Sequence, residues 1–301
     1  MFIDTHRHHE TDGLKWGVEP ICAVLQFAPS TYHARKSRPR SQRSLRDEQL
    51  KPLIQKVYSD NLSVYGAEKV WEELLRQGTV VARCTVERLM RDLGIQGARR
   101  GKAFVVTTEA DLLAERPKDF VERKFVANGP NLLWVADITY VKTAADWVYV
   151  AFVLDVFSRM IVGWKVDTSL HTGLAFDALE MALHGRQDRD GLIHHSDRGV
   201  QYLSIKYSDR LGDVGVTASV GTKGDSYDNA LAESFNGLYK WELIHRRNNW
   251  RNADHVEWET LLYVDWFNNR RLHGANAMVP PVELESAYYA LVNNPAETLV
   301  P

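Results

Sequence analysis

Leu132-Leu133-Trp134-Val135-Ala136-Asp137-Ile138-Thr139-Tyr140-Val141 is a run of apolar, aromatic and β-branched residues with one carboxylate inside it. It carries a strand signal from Trp134 to Lys142, and an acid in such a setting is costly unless it is paired or binds a cation. Two further strand signals follow, Trp147 to Asp155 and Met160 to Asp167, separated by turn-like gaps, and the three are expected to pair as an antiparallel meander. Next comes a helix from about Thr172 to His184, whose apolar face is Leu174, Ala175, Ala178, Leu179, Ala182 and Leu183. A strand at Leu192 to His195, a helix near Ser204 to Gly212 and a strand near Val216 to Val220 complete the series. The order strand-strand-strand-helix-strand-helix-strand predicts an α/β fold, a mixed five-stranded sheet covered by helices.

Upstream, Asn128-Gly129-Pro130 marks a break, and the polar stretch before it reads as a linker. From Asp47 the pattern is helical: Leu50, Leu53, Ile54 and Val57, then Val70, Trp71, Leu74 and Leu75 with a stop at Gly78. A third helix is expected from about Thr85, as N-cap, to Leu93, with Gly94 as its stop. Short helices joined by a Gly-containing turn, with Arg83, Arg88 and Arg91 on the later one, suggest a helix-turn-helix that enters a major groove. A small helical bundle with ordinary surface arginines fits the same pattern. Arg99, Arg100 and Lys102 extend the basic character beyond it. Residues 30 to 46 are basic and poor in apolar side chains and read as a linker or DNA-tracking arm; before them, only Val18 to Phe27 is a helical candidate. The resulting division is an N-terminal segment and basic linker (1–46), a helix-turn-helix-like domain (47–102), a linker (103–127), the α/β core (128–245) and a helical C-terminal extension (246–301).

The chain has 301 residues, 45% of them hydrophobic, enough for a sizeable core. Its formal charge of −2 conceals an asymmetry, because residues 30–102 carry 16 Lys or Arg against 8 Asp or Glu. A basic part joined to a carboxylate-rich part points to a polyanion partner and an acidic site. Cys22 and Cys84 are too few for a disulfide framework or a Cys-x-x-Cys zinc site. The His6, His8, His9 cluster lacks a partner at ligand spacing and reads as incidental. No apolar stretch approaches the roughly 20 residues of a membrane span, and no signal-peptide core opens the chain, so a cytoplasmic location is expected. There is no Gly-x-Ser-x-Gly elbow, no phosphate-binding Gly-x-x-x-x-Gly-Lys loop and no His-Glu-x-x-His helix, which argues against a serine hydrolase, an ATPase and a zinc protease.

Two more acids stand in distinctive surroundings. Asp197 lies in His194-His195-Ser196-Asp197-Arg198-Gly199-Val200-Gln201-Tyr202, and Glu233 in Asp228-Asn229-Ala230-Leu231-Ala232-Glu233-Ser234-Phe235-Asn236-Gly237-Leu238-Tyr239-Lys240, with 35 residues between the two acids. Carboxylates are hard oxygen ligands suited to Mg2+ or Mn2+, and a pair of such ions activates an attacking oxygen and stabilises a leaving one. Asp155, Asp225 and Asp228 are rival acids that read as structural, in a turn and beside a helix start. Residues Gly221 to Gly224 read as a flap or as a plain connecting loop.

These blocks resemble the catalytic core of retroviral-type integrases, and most closely the second-frame (OrfB) transposases of the bacterial insertion-sequence-three family, over about residues 45 to 290. The resemblance implies a ribonuclease-H-like fold with Asp137, Asp197 and Glu233 as catalytic residues holding two divalent ions. It also implies a basic residue at Lys240 that positions backbone phosphate, with Arg198 holding phosphate beside Asp197. The activity implied is binding of terminal inverted repeats, strand cleavage and 3′-hydroxyl strand transfer into target DNA through a circular intermediate. A synaptic multimer is implied too, with the first-frame OrfA product or a frameshift fusion with it as partner, at the bacterial nucleoid. Two departures stand out: Leu272 where the family often has proline, in Asn268-Asn269-Arg270-Arg271-Leu272-His273, and Val200 where it often has serine. The retroviral zinc-binding His-His-Cys-Cys module is absent. Two other readings share the residues: a non-catalytic DNA-binding regulator derived from such an element, and a metal-dependent nuclease without strand transfer.

Overall fold

The computed structural model describes residues 2–99, 119–121, 124–197, 199, 201–202, 204–221, 229–247 and 249–293. The chain divides into two compact units, residues 1–53 and 54–301. The first holds helix α1 (Phe2–His6), a hairpin of β1 (Glu10–Thr11) and β2 (Leu14–Lys15), and helices α2 (Val18–Val24) and α3 (Pro29–Ser37). It also contains the first part of α4 (Gln42–Asp60), which runs on into the second unit.

Here the structure departs from the expected basic linker, because Pro29 to Ser37 is helical. Pro29 sits in the first turn, where its missing N–H is no loss. Tyr32 reaches into a small core of Ile3, Ile21 and Cys22, and its hydroxyl donates to Asp4 Oδ1 at 2.8 Å. Lys36 pairs with the same carboxylate at 2.5 Å. Helix α4 likewise begins at Gln42 rather than Asp47, since Ser41 Oγ accepts the Ser44 N–H at 3.2 Å and caps the first turn.

In the second unit, α5 (Ala67–Arg76) and α6 (Arg83–Asp92) bury Val70, Leu74, Val86, Leu89 and Met90, with Ile54 and Val57 also fully enclosed. Gly78 and Gly94 follow these helices with φ of 79° and 68°, left-handed stops that glycine adopts without strain. The expected Thr85 cap is corrected to Ala82, which carries no side-chain bond. Trp71 Nε1 donates to Val81 O at 2.8 Å, fixing the chain just before Ala82, so the helix starts earlier and Thr85 falls inside its first turn.

The sheet consists of β3 (Leu133–Lys142), β4 (Trp147–Asp155), β5 (Ile161–Asp167), β6 (Ile193–Ser196) and β7 (Thr217–Val220), in the spatial order β5-β4-β3-β6-β7. The first three are antiparallel, and β6 and β7 are parallel to β3. This is the expected ribonuclease-H-like arrangement. Helix α7 (Thr172–Gly185) and helix α8 (Ile205–Asp213) cover one face over Trp134, Ala136, Ala151 and Val153. Gly163 makes that packing possible, since a Cβ there would lie 2.1 Å from Ala178 O. On the other face Phe152 meets Phe235 and Tyr239 of α9 (Ala230–Tyr239), edge to face at 4.8 and 5.0 Å. A π-helical turn (Lys240–Ile244), α10 (Ala253–Asn269) and α11 (Pro281–Asn293) follow.

Candidate active site

The sheet register brings the first two acids side by side. Ala136 on β3 pairs with Ser196, the last residue of the parallel strand β6, so Asp137 and Asp197 continue from neighbouring positions. Adjacent strands lie about 4.8 Å apart. Asp137 pairs with Phe152 on β4 and shares its face with α9, while Glu233 lies in the first turn of that helix.

Two asparagines fix α9 against this edge. Asn229, which precedes the helix, donates from Nδ2 to Ala136 O at 3.0 Å, and Asn236 Nδ2 donates to Asp137 Oδ2 at 2.9 Å. Asn236 is three residues after Glu233, so the helical face that carries one also carries the other. The remaining oxygen of Asp137 accepts the Ile138 N–H at 2.8 Å, and Asp197 Oδ1 accepts the Gly199 N–H at 2.9 Å.

Protein surrounds the Asp137 carboxyl, and this burial raises its pKa well above 3.8, helped by the negative charges of Asp197 and Glu233. Asp197 is also raised, again chiefly by burial. Asn229 Oδ1, Asn236 Oδ1 and the Tyr202 hydroxyl are buried without a hydrogen-bond partner. Burial, then Tyr207, Asp137 and Asp197, raises the Tyr202 pKa. Mutually repelling carboxylates beside unsatisfied oxygen atoms form a donor set that fits a hard divalent cation. Among the described residues, no three His, Cys, Asp or Glu side chains already close around a single point. Sequence reading did not single out Asn229, Asn236 or Tyr202.

Lys240 begins the π-helical turn, with its ammonium 4.0 Å from the centre of the Tyr140 ring. Burial lowers its pKa while the charge of Asp137 opposes the shift. Asp155 is separate from this group. It pairs with Trp134, three residues along β4 from Phe152 and hence on the opposite side of the strand. It accepts from the Asn131 N–H (2.7 Å) and the Ser158 N–H (2.9 Å), and the Ser158 hydroxyl, 3.1 Å from it, donates to Glu285 at 2.6 Å, itself paired with Arg186 at 2.7 Å. That is a structural turn. His194 and His195 are enclosed and bonded to the Tyr207 hydroxyl (3.0 Å) and Ser219 Oγ (2.9 Å), and burial brings His194 down to about 4.

On α6, Arg83 pairs with Glu87 (3.0 Å) and Glu68 (3.2 Å), and Arg88 with Asp92 (3.6 Å), while Arg91 and Arg99 are exposed. Arg100, Lys102, Arg198, Val200, residues 222–224, Asp225 and Asp228 lie outside the described residues. Among the described residues, no helix is long and apolar enough to cross a membrane.

The integrase core domain family matches residues 127–226 and a second integrase core domain family matches residues 214–281; an HTH-like domain matches residues 45–103. The chain is 51% identical to the transposase for insertion sequence element IS629 of Shigella sonnei, over 93% of this chain and 95% of that one. It is 33% identical to transposase InsF for insertion sequence IS3A of Escherichia coli K12, over 81% of this chain and 83% of that one. The HTLV-2 integrase catalytic core domain, solved in complex with magnesium, aligns at a TM-score of 0.42 with 15% identity, over 53% of this chain and 99% of that one. By its sequence relatives and its integrase-type core, the chain belongs to the insertion-sequence-three family of transposases.

Proposed function

We propose that the chain binds the terminal inverted repeats of its element, cuts one DNA strand by hydrolysis and passes the freed 3′ hydroxyl to a second phosphodiester. Asp137, Asp197 and Glu233 are the metal-ligating acids. The observation that carries this reading is the strand register that sets Asp137 beside Asp197, together with the Asn236–Asp137 hydrogen bond that holds the helix of Glu233 against them. A buried carboxylate repelled by two neighbouring acids is unfavourable for stability and useful for divalent cations. Two Mg2+ or Mn2+ ions, when bound, would supply positive charge at the attacking and leaving oxygens.

The chain's own residues orient those ligands. Asn236 Nδ2 holds one oxygen of Asp137, and the Gly199 N–H holds one oxygen of Asp197. Lys240 places its ammonium beside this group, where it would hold backbone phosphate. In the first step a water oxygen bonds to phosphorus and the P–O3′ bond breaks, leaving a 3′ hydroxyl. In the second, that hydroxyl oxygen bonds to another phosphorus and a second P–O bond breaks. The number of phosphodiester links is conserved in the transfer, so no energy donor is required. Residues about 60 to 102 would contact the element ends, with Arg83, Arg88, Arg91, Arg99, Arg100 and Lys102 binding phosphate or base edges, and Arg198 phosphate near the acids.

Labelled inverted-repeat duplex incubated with the protein and magnesium tests the reading. Joined products that disappear in Glu233→Gln are expected. Hydrolysis without joining would make the chain a nuclease, and binding without either would make it a DNA-binding regulator.

A further inference from the structure

A second feature lies beside Lys240 and takes no part in the chemistry above. A cavity of about 420 Å³ opens between the segment Gly94 to Arg99 and the turn after α9, lined by Tyr58, Gln96, Arg99, Trp241, His245 and Arg246 among others. Its first wall is firmly built. The Tyr58 hydroxyl donates to Gln96 O at 2.9 Å and the Ala98 N–H to Val64 O at 2.9 Å. Gly97 lies so close to Gly66 that a Cβ would stand 2.6 Å from its nitrogen. The second wall is aromatic, with the Trp241 and His245 rings 4.7 Å apart and tilted by 54°.

The π-helical turn separates two neighbouring side chains. Lys240 lies over Tyr140 on β3, while Trp241 lines the cavity. Such turns recur at functional sites because they re-aim side chains that a regular helix would keep in register. The cavity is within reach of the Lys240 charge, which joins burial in lowering the pKa of His245. Among the described residues its lining includes two exposed guanidinium groups, Arg99 and Arg246, and no carboxylate. An indole face beside arginines suits a π-faced group that carries phosphate. The volume matches a small-ligand pocket and excludes a duplex, whose major groove alone is about 12 Å wide.

We propose that this cavity receives an unpaired nucleotide of the DNA strand next to the cut phosphodiester, its base against Trp241 and its phosphate held by Arg99 and Arg246. The assignment rests on the transposase reading and adds to it the form of DNA that the site accepts. A strand end separated from its complement would be held beside Lys240, while the helices upstream grip the duplex.

The test uses the full chain in EDTA, so that neither cleavage nor joining affects the result. One probe is a fluorescent oligothymidylate of about eight nucleotides, a length within the usual single-strand site size, with 5-iodouridine for photocross-linking. The other is the blunt inverted-repeat duplex. The expected cross-link falls on the peptide containing Trp241. Trp241→Ala should weaken oligothymidylate binding roughly tenfold, as loss of one aromatic stack does, with duplex binding unchanged and most affinity retained in Trp241→Phe. If Trp241→Ala proves unstable, Arg246→Ala, at an exposed position, carries the same expectation. Cross-links confined to other peptides would overturn the proposal, as would equal losses on both probes or wild-type affinity in all these variants. Because no metal is present, a failure of metal-dependent joining in the separate cleavage assay leaves this result unaffected.

Discussion

At Asp137 the proposed function and folding make opposing demands. Its raised pKa means that the folded protein binds that proton more tightly than the unfolded chain does. Stability from this group is therefore lost as pH rises from the ordinary 3.8 toward the raised value, and the penalty is complete above it. Asp137→Asn should accordingly raise the Tm in metal-free buffer at pH 8, by about 2–4 °C for each kcal/mol relieved, while abolishing strand transfer. Magnesium should then stabilise the wild type more than the variant; thermal melts with and without the ion decide it, and a Tm below wild type would refute the argument. Asn236→Ala makes the complementary case. Its hydrogen bond orients a ligand without being one, so strand transfer should fall about 10–100-fold, with recovery at higher magnesium and a near-normal melt. Equal loss at all magnesium concentrations would count against an orienting role. Asp137 was legible in the sequence because an acid amid apolar strand residues is conspicuous. Asn236 was not, because an asparagine on an amphipathic helix resembles any polar surface residue until its partner 99 positions away is known.

Elements were legible where their own periodicity matches their environment. The strands Leu133–Lys142 and Trp147–Asp155 bury most of their residues, so unbroken β-branched and aromatic runs mark them to within a residue. Helix α3 was hidden because its only buried side chain is Tyr32, and its ties to Asp4 span 28 and 32 positions. The segment after α10 shows how one substitution is accommodated. Arg271 forms a buried pair with Glu242 at 2.6 Å, and Tyr263 donates to the same carboxylate at 3.0 Å. Immediately beyond, the Leu272 N–H donates to the Tyr65 hydroxyl at 2.8 Å. Proline, the residue the family often carries there, has no N–H to give. Leu272→Pro should thus destabilise this chain by about 1–3 kcal/mol, and much less in a Tyr65→Phe background where the acceptor is already gone. Urea denaturation of the single and double variants measures the coupling; strict additivity would show that this bond is not the cause.

For the whole molecule, net charge was the least informative number and its distribution the most. A chain of formal charge −2 holds a segment with twice as many basic as acidic residues, upstream of a site built from repelling carboxylates. In the proposed function, attraction to DNA and chemistry on DNA fall to different stretches of one sequence, which would allow one copy to bind while another reacts. In the proposed reaction the cut would free a 3′ hydroxyl at the acids that then promote its attack, so one set of three acids would suffice for each joined strand. A partner copy in the assembly need contribute only grip on the second DNA end. Mixing wild type with Glu233→Gln at a fixed, saturating total should lower joined product in proportion to the wild-type fraction, leaving about half at equal amounts if copies assemble at random. Residual activity nearer a quarter would mean that two intact acid sets act in each joining event. The same titration with Asn236→Ala in place of Glu233→Gln should lie on a shallower line, because that copy keeps all three acids and loses only the hydrogen bond to Asp137.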